Sequence, residues 1–356
     1  MRWGTHLDTS LLDSVDGLAT GARKAARDLG AELRLDAEEE LTRRARLTGW
    51  WSSGRVSAGG SCRIMPTSDG KWLALNLARP DDTAALPALF EADTATDGDV
   101  APWESICALV ATKASSEILN RGIDLGLALA IIGETGDVNL DNIVVTSEFG
   151  DAPDPSEVKS LQVVDLSSLW AGPLAGRMLA EIGCRVTKVE SVHRPDGARL
   201  GHPEFFAALN DGKEVVELDL RSPAGRAELH RLIGSADVVI EGSRPRALRQ
   251  LGIERSDLLR AGTVRVWLSI TAHGSDTAHE MRVGFGDDAA AAGGLIAMID
   301  DGPGFIGDAI ADPITGIVAV NAILENLRFG RHVLVDVALA RSAAMVAGDV
   351  RRASVR

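Results

Sequence analysis

The sequence runs to 356 residues, 45% of them hydrophobic, with 51 acidic against 37 basic side chains and a formal net charge of −14. That length buries a core readily and by length divides into two units, while the acidic balance opposes non-specific binding to nucleic acid or an anionic membrane. Three widely separated cysteines, Cys62, Cys107 and Cys184, suggest neither a disulfide framework nor a metal site, and no tyrosine with only seven phenylalanines argues against a base-stacking platform.

The opening "MRWGTHLDTSLLDSVDG" lacks a basic-then-apolar signal pattern, and no apolar run reaches the about 18–20 residues that a bilayer requires, so a soluble cytoplasmic protein is expected. Helix formers with mixed charge follow in "ARKAARDLGAEL" and "DAEEELTRRARL". A Gly/Ser-rich loop then leads to a strand, a Ser-Asp-Gly turn and a second strand over Lys71 to Leu77, which is a hairpin pattern. Residues 83–131 read as helical, broken by "DTATDGDVAP" and closing on "LNRGIDLGLALAII". The polar, acidic stretch 133–160 reads as a linker between a small α+β domain (1–132) and a larger domain (161–356).

Beyond it the pattern alternates. Strands are expected at Leu161 to Leu166, Arg185 to Val189, Val215 to Leu218, Val238 to Glu241 and Val264 to Ile270, with helices after the first, third and fourth. Two further helices, Asp287 to Met298 and Pro313 to Leu327, precede a last strand "HVLVDVAL" and a terminal helix. Such alternation predicts an α/β fold, a doubly wound, Rossmann-like parallel sheet. A dinucleotide dehydrogenase is disfavoured, because "SSLWAGPLAGR" replaces G-x-G-x-x-G after the first strand. The Ala/Gly-rich "DDAAAAGGLIAMI" invites close packing by another backbone or a flat ligand.

Five strings in order, "VVDLSSLWAGPLAGRMLAEIGCRVTKVE", "ALNDGKEVVELDLRSPAGRAEL", "ADVVIEGSRPRALRQLGI", "RVWLSITAHG" and "IADPITGIVAVNAIL", resemble the class III CoA-transferases, the family of formyl-CoA transferase, carnitine CoA-transferase and α-methylacyl-CoA racemase. "SAGGSCRIMPTSDGKWLALNL" and "ILNRGIDLG" resemble that family's small domain, which ordinarily follows the large one. Here they precede it, as in a circular permutation. The resemblance implies CoA and acyl-CoA as substrates, a carboxylic acid acceptor, no metal, and a homodimer, the family's own dimers being typically intertwined.

It also implies site residues. Asp312 matches the aspartate that attacks the thioester carbonyl to give a mixed anhydride and CoA thiolate, which then exchange through an aspartyl-CoA thioester. From local sequence alone, Asp312-Pro313 reads equally well as a helix N-cap followed by proline at the first helical position, and the two roles are compatible. Gly59 and Gly60 match the loop that covers the acyl intermediate, or form an ordinary flexible loop. Leu169, Trp170 and Ala171 match residues lining the adenosine and pantetheine, and Arg221 and Arg282 match basic positions suited to phosphate.

The chain also departs from the family pattern. Gly242-Ser243 replaces an Asn-aromatic pair, with Arg244 and Arg246 as local cations able to restore phosphate contacts, and Ser191 replaces an arginine. The racemase branch's histidine falls at Phe285 and its glutamate near Arg79, which disfavours racemisation. Three readings stand: a CoA-transferase, an isomerase acting at the α-carbon of an acyl-CoA, and an acyl-CoA-binding paralogue without turnover.

Overall fold

The computed structural model describes residues 7–92, 102–151, 158–243, 245–299 and 301–354. Asp8 and Asp36 start the first two helices, α1 (Thr9–Asp28) and α2 (Ala37–Thr48), their carboxylates accepting from the N–H of Ser10 and Glu39. The α1 face carrying Leu11, Val15, Leu18, Ala22 and Ala25 is buried. It packs on helices from the far end of the chain, not on the hairpin that follows it. Residues 1–132, expected as one small domain, therefore do not share one core.

The small unit begins with β1 (Cys62–Pro66) and β2 (Trp72–Asn76), the expected hairpin. Short helices α3 (Pro80–Ala84) and α4 (Leu86–Phe90) and then α5 (Trp103–Thr112) and α6 (Ser115–Asp124) cover it. The end of the stretch read as helical is instead β3 (Ala128–Ile131), antiparallel to β2. Gly126, at φ +70°, ends α6 and turns the chain, and the open edge of β2 captures "ALAI", an apolar run that either structure could use. Within the segment read as a linker, α7 (Leu140–Ile143) leads into β4 (Val144–Asp151). β4 is the antiparallel edge of the main sheet, and its polarity follows from its exposure, with only Val144 and Phe149 of its eight residues partly covered.

The main sheet then forms from β5 (Gln162–Asp165), α8 (Ala171–Glu181), β6 (Arg185–Ser191), α9 (Gly197–Gly201), α10 (Pro203–Asn210), β7 (Glu214–Leu218), α11 (Pro223–Gly234), β8 (Val238–Glu241), α12 (Pro245–Gln250), α13 (Arg255–Arg260) and β9 (Val266–Thr271). All five expected strands are present, and two unexpected short helices follow β6. α14 (Gly286–Ala292) ends sooner than its apolar run implies, at Gly294 (φ +72°), and the remaining residues form the hairpin β10 (Ala297–Ile299) and β11 (Gly302–Gly304). α15 (Ala311–Arg328), β12 (Arg331–Ala338) and α16 (Leu339–Ser354) complete the chain.

Strand order is β4-β12-β9-β8-β5-β6-β7, parallel except for β4, so the order reverses between β5 and β8. Successive strand residues alternate between two cores. Val163, Val238, Ile240, Leu268 and Val335 face α1, α8, α15 and α16, while Val164, Val239 and Trp267 face α11 and α13. Close backbone approach, expected at the Ala/Gly run, occurs at Gly293, where an added Cβ would lie 2.6 Å from the Ala344 nitrogen on α16. No helix among the described residues is long and apolar enough to cross a membrane.

Candidate active site

α15 opens without a side-chain cap. Its N-cap is Ile310, Asp312 is the second helical residue, and the Asp312 N–H donates to the Ala309 carbonyl at 2.9 Å. The cap reading of Asp312 is thus overturned, and its carboxylate is not used to close its own helix. Instead it lies against Gly286 at the start of α14, whose N–H draws its proton affinity down. Only glycine permits that approach, because a Cβ at Gly286 would overlap both Asp312 Oδ2 and the Ala309 carbonyl. Ala309 itself is left-handed (φ +43°), held by its N–H to Asp287 Oδ1 at 3.0 Å.

Three more aspartates gather here. Asp287, Asp288 and Asp308 are all buried, whereas Asp312 keeps part of its surface open. Asp288 Oδ1 accepts from Asn76 Nδ2 on β2 at 2.9 Å and from the Phe285 N–H at 3.0 Å. Asp308 is forked by Arg44 of α2, with Nε to Oδ2 at 2.7 Å and Nη2 to Oδ1. Burial pushes the Asp312 carboxyl up to about 7, with Arg44 opposing and Asp288 and Asp308 adding to the rise. Burial and then Asp308 raise Asp287 to about 7, and burial raises Asp288 to about 6 against its hydrogen bonds. No group of three metal-ligating side chains among the described residues is placed to hold an ion. Arg44 faces the cluster as a cation, and Arg282 faces Asp288.

Arg44 also lies over the Trp170 ring, 4.7 Å from its centroid, and Trp170 meets Phe205 edge-on at 4.8 Å. This joins the acidic cluster to the "LWAGP" loop after β5, at the sheet's switch point, where doubly wound folds hold ligands. A buried polar network shapes the loop. Lys188 bonds the Ser167 carbonyl and pairs with Asp196 Oδ2 at 3.1 Å, while Asp196 Oδ1 takes the Leu169 N–H at 3.0 Å. Leu169 is thereby held left-handed at φ +71° with its side chain partly exposed, while Trp170 and Ala171 are buried.

The remaining expected residues are scattered. Gly59 and Gly60 face open space, since an added Cβ at either meets nothing within 4 Å. The start of their loop is pinned to β10–β11, upstream of Asp308, by the Phe305 N–H to the Gly54 carbonyl at 2.8 Å. Arg221 is exposed after β7, two strands from β5. Arg282 is already paired with Glu134 at 2.6 Å and bonded to the Leu129 carbonyl, so its guanidinium joins the two units. Arg244 lies outside the described residues. Phe285 and Arg79 are neighbours, guanidinium to ring centroid 5.9 Å.

Sequence reading missed Arg44, Asp287, Asp288 and Asp308. The acids carry a weak signal, a pair opening an apolar helix in "GDDAAAA" and a repeat in "GDAIAD"; Arg44 lies 264 residues from its partner and carries none.

The sequence profile of CoA-transferase family III matches residues 158–352. Succinate–glutarate CoA-transferase of Agrobacterium fabrum is 31% identical over 202 residues, which are 51% of this chain and 50% of that protein. Succinyl-CoA–D-citramalate CoA-transferase of Chloroflexus aurantiacus is 28% identical over 199 residues, 52% of this chain and 50% of that one. A crystal structure of a CAIB/BAIF family protein from Brucella suis superposes with a TM-score of 0.50 at 29% identity, covering 58% of each chain. The chain spans about half the length of the curated relatives it matches.

Proposed function

Because the chain belongs to CoA-transferase family III, we propose that it moves CoA from an acyl-CoA to a carboxylic acid with Asp312 as the nucleophile. A carboxylate oxygen of Asp312 attacks the thioester carbonyl, the C–S bond breaks, and CoA leaves as the thiolate beside an acyl-aspartyl anhydride. The thiolate attacks the aspartyl carbonyl and releases the donor acid, leaving an aspartyl-CoA thioester. The acceptor carboxylate and the thiolate then repeat the two steps in reverse, returning Asp312 as a carboxylate. Neither step requires an outside proton or electron, so the site's task is to align the partners and keep Asp312 ionised.

The observation that carries this reading is the placement of Asp312: not used as its own helix cap, partly open, and set closely against Gly286 at the start of α14. The CoA moiety is assigned to the crevice beside Leu169, Trp170 and Ala171, with Arg221 and Arg244 offered to phosphate in preference to the ion-paired Arg282. Gly59 and Gly60 are assigned to a loop that closes over the acyl group. A homodimer, with the small unit placed ahead of the large one in a permuted order, belongs to the same proposal. Dicarboxylic acyl groups are the first to try, since two relatives are named for succinate, glutarate or citramalate.

The test is to incubate the protein with succinyl-CoA, add hydroxylamine, digest, and search by mass spectrometry for a hydroxamate on the peptide containing Asp312. Label at Asp312, lost in Asp312→Asn, is the expected result. Intact thioester and no label from a panel of acyl-CoAs would remove the transferase reading.

A further inference from the structure

Asp312 has three aspartate neighbours, and the residue that offsets them lies outside the family-matched segment. Asp287 and Asp288 approach from α14 and Asp308 from the loop before α15, while the first turn of α8, packed alongside, carries no charged residue. On the far side of α14, Arg282 faces Asp288 but is held by Glu134. Among the described residues, the cation bonded to the cluster is Arg44, which reaches it from α2. Its guanidinium forks Asp308, lies on the Trp170 ring, and is three-quarters buried.

We propose that Arg44 is a positioning residue for Asp312, keeping the nucleophile charged by neutralising Asp308 and holding Trp170 beside it. The inference rests on the reading of Asp312 as nucleophile, but its electrostatic content does not. The fork on Asp308 fixes the cation beside that acid and within electrostatic reach of Asp287 and Asp312. The Trp170 ring below it is buried, and a charge against buried apolar surface is screened less than one at an open surface. Apolar replacement of Arg44 would leave a buried, uncompensated Asp308, and the cluster would respond by taking up protons. The site's nucleophile would then depend on a helix nearly 270 residues away in the chain.

The experiment titrates the full-length protein labelled with [13C]carboxyl aspartate by NMR, the Asp312 resonance being identified by its loss in Asp312→Asn. In Arg44→Met the Asp312 midpoint should move up by about one pH unit or more, cutting its charged fraction at fixed acidic pH about tenfold. Arg44→Lys should restore most of it, and Asp308→Asn, which removes a repelling charge and does not depend on the fold of the first variant, should lower it. The acid limb of single-turnover succinyl-CoA consumption should move with each midpoint. An unchanged midpoint in Arg44→Met, or a raised one in Asp308→Asn, overturns the proposal. Midpoints that move as expected while the unmodified protein consumes none of a panel of acyl-CoAs would sustain Arg44's control of Asp312 and remove the transferase reading instead.

Discussion

At Asp312 the competing demands are visible in one side chain. A carboxylate in water is a weak nucleophile held back by hydration; burial removes that hydration but favours the protonated form. Asp287, Asp288 and Asp312, at about 7, 6 and 7, all have folded-state values above the unfolded value of about 3.9. Through these three groups the folded protein binds more protons than the unfolded chain between about pH 4 and 7, and their contribution to stability falls as pH rises through that window. Carboxylates shifted the other way, such as Asp69 at about 2, act mainly below about pH 4, and His273, which burial lowers to about 3, offsets one of the three protons across the window without cancelling the other two. Thermal melts should give a lower Tm at about pH 8 than at about pH 5, and Asp288→Asn should shrink that difference. A Tm that climbs across the same range would contradict the assigned burial of the cluster.

The elements matter through how closely they approach. α8 brings Trp170 and α15 brings Asp312, and the two helices pack through Gly316. A Cβ at Gly316 would lie 2.8 Å from Leu174 Cδ2 and 2.9 Å from the Ala171 carbonyl, and the latter is backbone that cannot rotate away. Gly316→Val should therefore cost about 1–3 kcal/mol by overpacking. It should also reduce hydroxylamine trapping at Asp312, because the loop carrying Trp170 and the start of α15 are pushed apart. Denaturant melts at a permissive temperature, together with the labelling yield, check both. A variant as stable and as reactive as the parent would mean that α8 and α15 can separate without consequence.

At the scale of the whole molecule, the N-terminal helices belong energetically to the large unit. Leu11, Val15, Leu18 and Leu41 share a core with Ile314, Ile317, Val320 and Leu324, whereas the hairpin unit has its own core of Leu73, Leu75, Leu89 and Ile106. The two units meet through Asn76–Asp288 and Arg282–Glu134. A chain beginning at Gly49 would expose the α15 and α16 surface that α1 covers and would also lack Arg44. It should bind a hydrophobic dye and lose cooperative unfolding, by fluorescence and calorimetry. A cooperative melt matching that of the full chain would show the N-terminal helices to be dispensable.

The alternation of strands and helices after residue 160, the hairpin of the small unit and the helix carrying Asp312 were legible in the sequence, because period-2 and period-3.6 patterns record how each segment buries its own side chains. The same patterns do not name a partner. "VVTSEFGD" looked like linker because this edge strand leaves nearly all of its residues in water, and "ALAI" joined a sheet because an open strand edge stood beside it. Asp312 was found as a residue, but its state was not. Whether it caps a helix, and how far its proton affinity rises, depends on Gly286, Asp308 and Arg44 meeting in space, and desolvation and charge act through distance in the fold, not along the chain.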